Sequence, residues 1–220
     1  MEKIKVNYEK TVSFDIDAQN GFTPNCPDEL PVVDGDKIVD ECNKNATKAK
    51  YRYMSKDAHS SSGIYNATTN DPQFSPVVGE KNVDMKWNQH CNVGTFGFEL
   101  IEGLPRPNEY NFIIYKGVEV DMHPYSPIYH DLSKNISTGI IEKAINDGID
   151  TFILGGLALD YCLGIGAFDL KEAGFNVIVN LSATKSIGDA ETYIKKLKSA
   201  GIICVETADD IESQKSIFYL

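Results

Sequence analysis

The sequence predicts an α/β fold, a three-layer α/β/α arrangement in which about six mostly parallel strands form a doubly wound sheet between helices. The first observation is that short apolar runs alternate with segments of helical periodicity along the chain. The second is a repeat in the C-terminal half, where Gly148, Gly174 and Gly201 each follow a helical segment and precede an apolar run. Their spacing of about 26 residues is typical of a strand–helix unit. Strands that alternate with helices pair in parallel through right-handed crossovers, and helices then cover both faces of the sheet.

Length and composition are those of one soluble domain, predicted to span residues 1–220. The 220 residues suffice for a full hydrophobic core. The 42% of hydrophobic and 24% of charged residues are ordinary for globular proteins. A net charge of −11 argues against binding nucleic acid or an anionic membrane through a basic face.

The N-terminus and the cysteines predict the compartment. The first ten residues lack the apolar core of a signal peptide, and no apolar run reaches membrane-spanning length. The five cysteines are an odd number, widely scattered and without a CxxC pair. A reducing cytoplasm with free thiols is the simplest interpretation.

In the N-terminal half the predicted elements are a strand at 12–17, a helix at 36–46 and strands at 51–57 and 112–116. Between the last two strands lies a segment at about 58–109 that is rich in Asn, Ser, Gly and Pro and has no sustained periodicity. About fifty irregular residues are uncommon inside a compact domain and are usually functional. We therefore expect this segment to form a wall of the active site.

In the C-terminal half the period changes from strand to helix within one short stretch. Residues 152–156 are an unbroken apolar run, typical of a strand covered on both faces. From Asp160 onward apolar residues recur at helical spacing until Gly174 supplies a stop. The same reasoning predicts helices at 136–146, 160–173 and 189–200 and strands at 152–156, 176–181 and 202–206.

Cys162 is the most informative single residue, because it lies in the first turn of the predicted helix that follows a buried strand. Unpaired backbone N–H groups and the helix dipole favour a thiolate at such a position. The alternative is a small buried apolar residue, which is the commonest role of a free cysteine.

Asp17 and Lys116 stand where ligands bind in parallel sheets, at the end of a strand. Asp15 competes with Asp17, but Asp17 lies nearer the end of its strand, and a helix cap or turn is the alternative role for such an acid. A lysine at a strand end usually reaches to solvent. Beside a thiol, Lys116 would lower the pKa of that thiol, and beside Asp17 it would form an ion pair.

Asp57 and His59 follow the second strand and form an Asp-x-His pair, whose side chains lie on the same side of an extended chain. A second copy comprises Asp121 and His123. The first copy is favoured by its place at a strand end and by His90 in the irregular segment. Two histidines and one aspartate with open positions suit Zn²⁺, Fe²⁺ or Mn²⁺. A hydrogen-bonded loop residue is the alternative interpretation of His90.

Five motifs together resemble a known family. They are D-x-Q-N-x-F at 17–22, D-x-H at 57–59, W-x-x-H-C at 87–91, K-G at 116–117 and G-x-A-x-D-x-C at 156–162. In this order they resemble the isochorismatase-like cysteine hydrolases, and among them the nicotinamidases, also called pyrazinamidases. The resemblance extends roughly over residues 12–204 and implies the isochorismatase-like hydrolase fold.

The resemblance implies a catalytic triad of Asp17, Lys116 and Cys162, with the backbone N–H groups of Ala158 and Cys162 as oxyanion hole. It also implies a cis peptide bond between Leu157 and Ala158. Phe22 and Trp87 are candidate walls for a flat aromatic ring, and Leu157 and Ala158 complete the expected substrate-binding set.

The resemblance implies a divalent metal held by Asp57, His59 and His90, with zinc expected first and iron or manganese as alternatives. Isochorismatases proper generally lack these residues, so the set favours the nicotinamidase branch. The sequence departs from the family pattern in two places. Residues 60–67 lack the further histidine that nicotinamidases often carry there, and Gly21 stands where many members have an acid.

The function implied by the resemblance is conversion of nicotinamide to nicotinate and ammonia through a thioester on Cys162. Two alternatives stay open: a related amidohydrolase acting on a carbamoyl or ureido compound, and a catalytically silent relative that binds a ligand. The expected partner is a small-molecule amide, with no nucleic acid and no membrane, and a homo-oligomer is left open. His123 and His130 flank a segment at 124–129 that is a candidate cover over the site, and we expect both to face solvent.

Overall fold

The computed structural model describes residues 3–215, so the ends of the predicted domain, residues 1–2 and 216–220, lie outside the described part. The order of its elements follows the predicted alternation of strands and helices. The strands are β1 (Ile4–Asn7), β2 (Thr11–Ile16), β3 (Tyr51–Asp57), β4 (Phe112–Lys116), β5 (Thr151–Leu157), β6 (Asn176–Lys185), β7 (Ile203–Val205) and β8 (Ile211–Gln214). The helices are α1 (Val39–Thr47), α2 (Ile140–Asn146), α3 (Cys162–Glu172) and α4 (Ala190–Ser199).

Six strands form one sheet in the order β4-β3-β2-β5-β6-β7, and every neighbouring pair is parallel. The chain winds outward from β2 to β4 and then from β5 to β7, so the winding direction reverses between the two central strands. This confirms the predicted doubly wound α/β fold. In such sheets a crevice opens at the carboxyl ends of the strands beside the reversal point.

The hydrophobic core lies on both faces of this sheet. On one face Phe14, Phe152 and Leu154 pack with residues of α2, α3 and α4, including the buried Leu163 and Leu197. On the other face α1 and the turns before it pack against β5 and β6. Every residue of β2 and β5 is buried, as expected of strands covered on both sides.

Most element boundaries agree with the sequence to within one or two residues, and the larger differences have physical causes. The helix predicted at 136–146 begins only at Ile140, because Gly139 before it has the left-handed φ of 86° and the Asp131 carboxylate holds the amide of Ile136 in the preceding loop. The helix predicted at 36–46 starts as a 3₁₀ turn, Gly35–Ile38. Strand β6 runs four residues past the predicted end, since it pairs with β5 again beyond a bulge.

The structure contains a second sheet that the sequence did not predict. Strand β1 pairs in parallel with β8, with Ile4 opposite Ile211. Both strands have four residues and mixed polarity, too little for a periodic pattern to stand out. None of the helices within residues 3–215 is long and apolar enough to cross a membrane.

The irregular segment after β3 contains turns and isolated bridges until the 3₁₀ turn Pro107–Glu109. Isolated bridges pair His59 with Asn92 and Asn66 with Trp87. A further bridge, between Gln19 and Leu100, holds the segment to the turn that follows β2. It therefore lies over the carboxyl edge of the sheet, where its histidines can reach the crevice.

Candidate active site

Three functional groups converge at the carboxyl edge of the sheet. Asp17 directly follows β2, Lys116 ends β4 and Cys162 opens α3. The Lys116 Nζ lies 3.0 Å from Asp17 Oδ2 and 3.5 Å from Cys162 Sγ. All three residues are buried, and Ser55 Oγ donates a 2.6 Å hydrogen bond to Asp17 Oδ1. The structure thus brings together Asp17 and Lys116, predicted at strand ends, and Cys162, predicted at the start of a helix.

Burial controls the protonation of this cluster. It raises the pKa of the Cys162 thiol well above its ordinary value, although Lys116 opposes the shift. It also raises the pKa of Asp17, again against the influence of Lys116. Burial therefore opposes the thiolate that the position of Cys162 at the helix start favours. The carboxylates of Asp17 and Asp57 both lie within 4.8 Å of the sulfur.

Lys116 is the cation of the cluster. Burial acts to lower its pKa, but the neighbouring carboxylates of Asp17 and Asp57 raise the pKa well above its usual value. Asp57 is an ion-pair partner of Lys116. Burial acts to raise the pKa of Asp57, but Lys116 holds it well below the usual range. Gln19 holds the backbone of Asp57 through two hydrogen bonds. Its Oε1 accepts the N–H of Asp57 at 2.7 Å, and its Nε2 donates to the carbonyl of Asp57 at 2.8 Å.

The predicted metal-ligating residues also meet. The Oδ1 of Asp57 lies 3.5 Å from His59 Nε2, and its Oδ2 lies 3.8 Å from His90 Nε2. His123 joins them, since His59, His90 and His123 each place a ring nitrogen within 4.8 Å of the others. The expectation that His123 faces solvent was wrong, because it is 4% exposed and stacks on the His59 ring at 4.9 Å. His130 is only partly buried.

The hydrogen bonds of the imidazoles leave nitrogens free for a metal. His59 Nδ1 lies 3.1 Å from the carbonyl of Gly117, and His90 Nδ1 lies 2.6 Å from the carbonyl of Asn88. A carbonyl only accepts, so each Nδ1 carries the proton and each Nε2 keeps its lone pair. Within residues 3–215, His59 Nε2 and both ring nitrogens of His123 have no hydrogen-bond partner.

The protonation of the imidazoles agrees with this. Burial lowers the pKa of His90 to about 3 and that of His123 well below its usual value. A neutral imidazole is the form that binds a metal ion. Three imidazole nitrogens and a carboxylate are a donor set that suits zinc and iron.

A small cavity opens in front of Cys162, which is one of its lining residues. Of the predicted substrate-binding residues, Phe22, Trp87 and Ala158 line this cavity. Leu157 does not, because its side chain is fully buried in the core. The remaining lining residues, which the sequence analysis did not assign to the substrate, are Leu30, Asp57, His90, His123, Tyr125, Tyr161 and Ile187.

Tyr125 is the lining residue that a sequence signal could have found, since it lies in the 124–129 segment proposed as a cover. Its hydroxyl donates to Asp84 Oδ1 at 2.7 Å and accepts from Trp87 Nε1 at 3.3 Å. These bonds join the 124–129 segment to the long irregular segment across the mouth of the cavity. Tyr161 lies against Trp87 with ring centroids 5.1 Å apart.

The backbone beside Cys162 has the expected form. The peptide bond between Leu157 and Ala158 is cis, which confirms that expectation. Cys162 is the first residue of α3, and the N–H groups of the first helical turn have no acceptor within the helix. Its N–H is thus available to an oxygen in the cavity.

Two other sequence features are explained by packing. Asp15 lies inside β2, where it binds Arg52 at 2.7 Å and Tyr110 at 2.9 Å, away from Cys162. A side chain at Gly21 would begin 2.4 Å from Glu29 Oε2. The carboxylate of Glu29 therefore fills the space beside Gly21.

Known proteins resemble this chain in sequence and in fold. No protein-family model matches the chain. The nicotinamidase of Acinetobacter baylyi is 30% identical over 174 residues, which cover 78% of this chain and 79% of that protein. The structure of a nicotinamidase/pyrazinamidase from Acinetobacter baumanii superposes with a TM-score of 0.82 at 26% identity, covering 92% of this chain and 98% of the other. The pyrazinamidase of Pyrococcus horikoshii, solved in complex with zinc, has a TM-score of 0.72 at 26% identity, covering 89% and 98%.

The identity and coverage of the first relative place the sequence within a family, and the two structures share its fold over nearly their whole length. The chain belongs to the nicotinamidase family of amidohydrolases.

Proposed function

We propose that this protein hydrolyses nicotinamide to nicotinate and ammonia, with Cys162 as the nucleophile. The observation that carries the proposal is the convergence of a thiol, a carboxylate and a lysine amine at the base of an aromatic cavity whose other side holds three imidazoles. The nicotinamidase relatives support the same substrate.

In the proposed mechanism Asp17 accepts the thiol proton as the sulfur of Cys162 attacks the amide carbonyl. The C–S bond forms, and the C–N bond breaks as the nitrogen takes the proton from Asp17 and leaves as ammonia. A water molecule then gives a proton to Asp17 and attacks the thioester, which releases the carboxylic acid and returns the sulfur to a thiol. Lys116 keeps its proton throughout and balances the charge that moves between Asp17 and Cys162.

The oxyanion formed in both steps requires hydrogen-bond donors. The N–H groups of Ala158 and Cys162 are proposed for this role, each contributing on the order of 3 kcal/mol to transition-state stabilisation. The position of Cys162 at the start of α3 supports the proposal, because the helix dipole there favours negative charge.

We infer a divalent metal at the histidine cluster, zinc in the first place, held by Asp57, His59, His90 and His123. The zinc-bound pyrazinamidase relative supports this set, as do the imidazole nitrogens of His59 and His123 that lack a hydrogen-bond partner within the described residues. When bound, the metal would offer a Lewis-acidic position for the pyridine nitrogen of the substrate. The protein's own share is to hold the ring: Phe22 and Trp87 line the cavity and present apolar faces to a flat substrate.

The organisation of the protein is part of the proposal. We infer one catalytic domain, because all the site residues lie on the six-stranded sheet and its connections. The five cysteines are free thiols, which supports a reducing cytoplasm.

The test is ammonia release from nicotinamide by purified protein loaded with Zn²⁺. We expect Cys162→Ala to lower kcat by about 10⁴-fold or more, as for loss of a nucleophile elsewhere, and a chelator to lower the activity of the wild type. The matched control is Cys204→Ala, at a half-buried thiol, which should retain full activity. Release of ammonia only from carbamoyl or ureido compounds by folded, metal-loaded protein would refute the nicotinamide assignment and leave the thiol mechanism standing.

A further inference from the structure

The carboxylate of Glu29, a half-buried residue, holds the loop that carries His90. Its Oε2 accepts the backbone N–H of Cys91 at 2.8 Å. Cys91 is fully buried and has the left-handed φ of 49°, which is uncommon for a residue with a side chain. This hydrogen bond joins residues 62 positions apart and so lets Glu29 hold the backbone in this conformation directly beside His90.

Two glycines make room for this carboxylate. A Cβ at Gly97 would lie 2.0 Å from Glu29 Oε1, and a Cβ at Gly21 would lie 2.4 Å from Oε2. Both distances are far inside van der Waals contact, so any side chain at either position would displace the carboxylate. The two glycines are themselves joined, since the N–H of Gly21 donates to the carbonyl of Gly97 at 2.9 Å. The backbone of Gly21 and Gly97 thus lies directly beside the carboxylate of Glu29.

Glu29 is linked to the histidine cluster through Cys91 and through Phe22. Cys91 follows His90, and its carbonyl accepts the N–H of His59 at 3.2 Å. Phe22, next to Gly21, has its ring 5.2 Å from the His90 ring. A shift of the Cys91 backbone would therefore move two of the three imidazoles and one wall of the cavity.

We propose that Glu29 is a positioning residue that sets the His90 imidazole for metal binding. It acts through the N–H of Cys91 and does not itself contact the metal or the substrate. This inference rests on the metal site of the proposed function and extends it to a residue outside the cluster. Groups that orient metal ligands in this way typically contribute 10–100-fold to metal affinity.

The experiment measures the affinity of the metal-free protein for Co²⁺ by competition with a chelating indicator. We expect Glu29→Ala to weaken Co²⁺ binding about 10–100-fold. Glu29→Gln should stay within about threefold of the wild type, because its amide oxygen still accepts the N–H of Cys91. The matched control is Glu109→Ala: Glu109 Oε2 accepts the N–H of Arg106 at 2.7 Å in an exposed turn, and its loss should leave the affinity unchanged.

His90→Ala is measured beside these variants and separates the two hypotheses. Weak Co²⁺ binding by His90→Ala with unchanged binding by Glu29→Ala overturns the role of Glu29 and leaves the metal site intact. Unchanged binding by His90→Ala overturns the metal site, and the Glu29 inference with it. If Glu29→Ala does not fold, Glu29→Asp replaces it, since a carboxylate shortened by one methylene retreats from Cys91. Co²⁺ affinity equal to the wild type in that variant overturns the inference.

Discussion

Lys116 is the residue whose replacement we expect to destabilise the fold most among the charged groups of the site. It is a fully buried lysine between two carboxylates, 3.0 Å from Asp17 Oδ2 and in contact with Asp57. In Lys116→Met the side chain keeps its bulk but loses its charge, and both carboxylates remain buried without their cation. Removing one partner of a buried ion pair costs about 3–5 kcal/mol.

Protonation limits the share of this loss that comes from Asp17. The folded variant can neutralise Asp17 by taking up a proton, starting from an ordinary aspartate pKa of 3.8. At pH 7, about three pH units above this pKa, protonating Asp17 costs about 4 kcal/mol at 1.36 kcal/mol per unit. At pH 5 it costs only about 1.6 kcal/mol. Above pH 3.8 the folded variant then holds a proton that the unfolded chain has released, so its stability falls as the pH rises.

The assay is urea unfolding of metal-free protein at pH 7 and pH 5. We expect Lys116→Met to lose about 3–4 kcal/mol relative to the wild type at pH 7, which corresponds to a fall in Tm of roughly 6–16 °C, and about half of that or less at pH 5. The matched control is Lys195→Met, because Lys195 binds Glu191 at 2.7 Å but both side chains are more than 70% exposed. It should lose about 0.5 kcal/mol or less. Equal losses in the two variants, or a loss that does not shrink at pH 5, would refute this reasoning.

Three further predictions concern the cavity and the sheet. His123→Ala should weaken Zn²⁺ or Co²⁺ binding at least about tenfold by chelator competition; unchanged affinity would remove His123 from the site. Trp87→Ala should raise the KM for nicotinamide about tenfold by loss of an aromatic wall, and steady-state kinetics with an unchanged KM would contradict this. Gly156→Ala should cost about 3 kcal/mol or more, because its Cβ would lie 1.8 Å from the Ile16 carbonyl oxygen. Gly148→Ala, at φ 71° in open space, is its control in urea unfolding and should cost only about 1–2 kcal/mol.

The sequence determined the elements whose pattern is local. Strand β3 and strand β4 have the predicted bounds, because each is a short extended run that ends at a charged residue. The position of the site followed from the same information. Parallel strands all end at one edge of the sheet, so Asp17 and Lys116 were expected at the same edge. The strand order β4-β3-β2, which brings them within 3.0 Å, was decided by the tertiary structure. The resemblance to a family added the order of the motifs, which selected these residues among other candidates such as Asp15.

The tertiary structure decided the contacts made by irregular backbone. His123 lies in a second Asp-x-His copy that no strand end distinguished, and only the path of the 124–129 segment over the sheet buries it against His59. Tyr125 reaches the mouth of the cavity along the same path. Such loops have no periodicity from which a partner could be inferred, since their hydrogen bonds join residues far apart in the chain. Glu29 shows this most clearly: its partner is 62 positions away, and its place depends on the absence of side chains at two glycines.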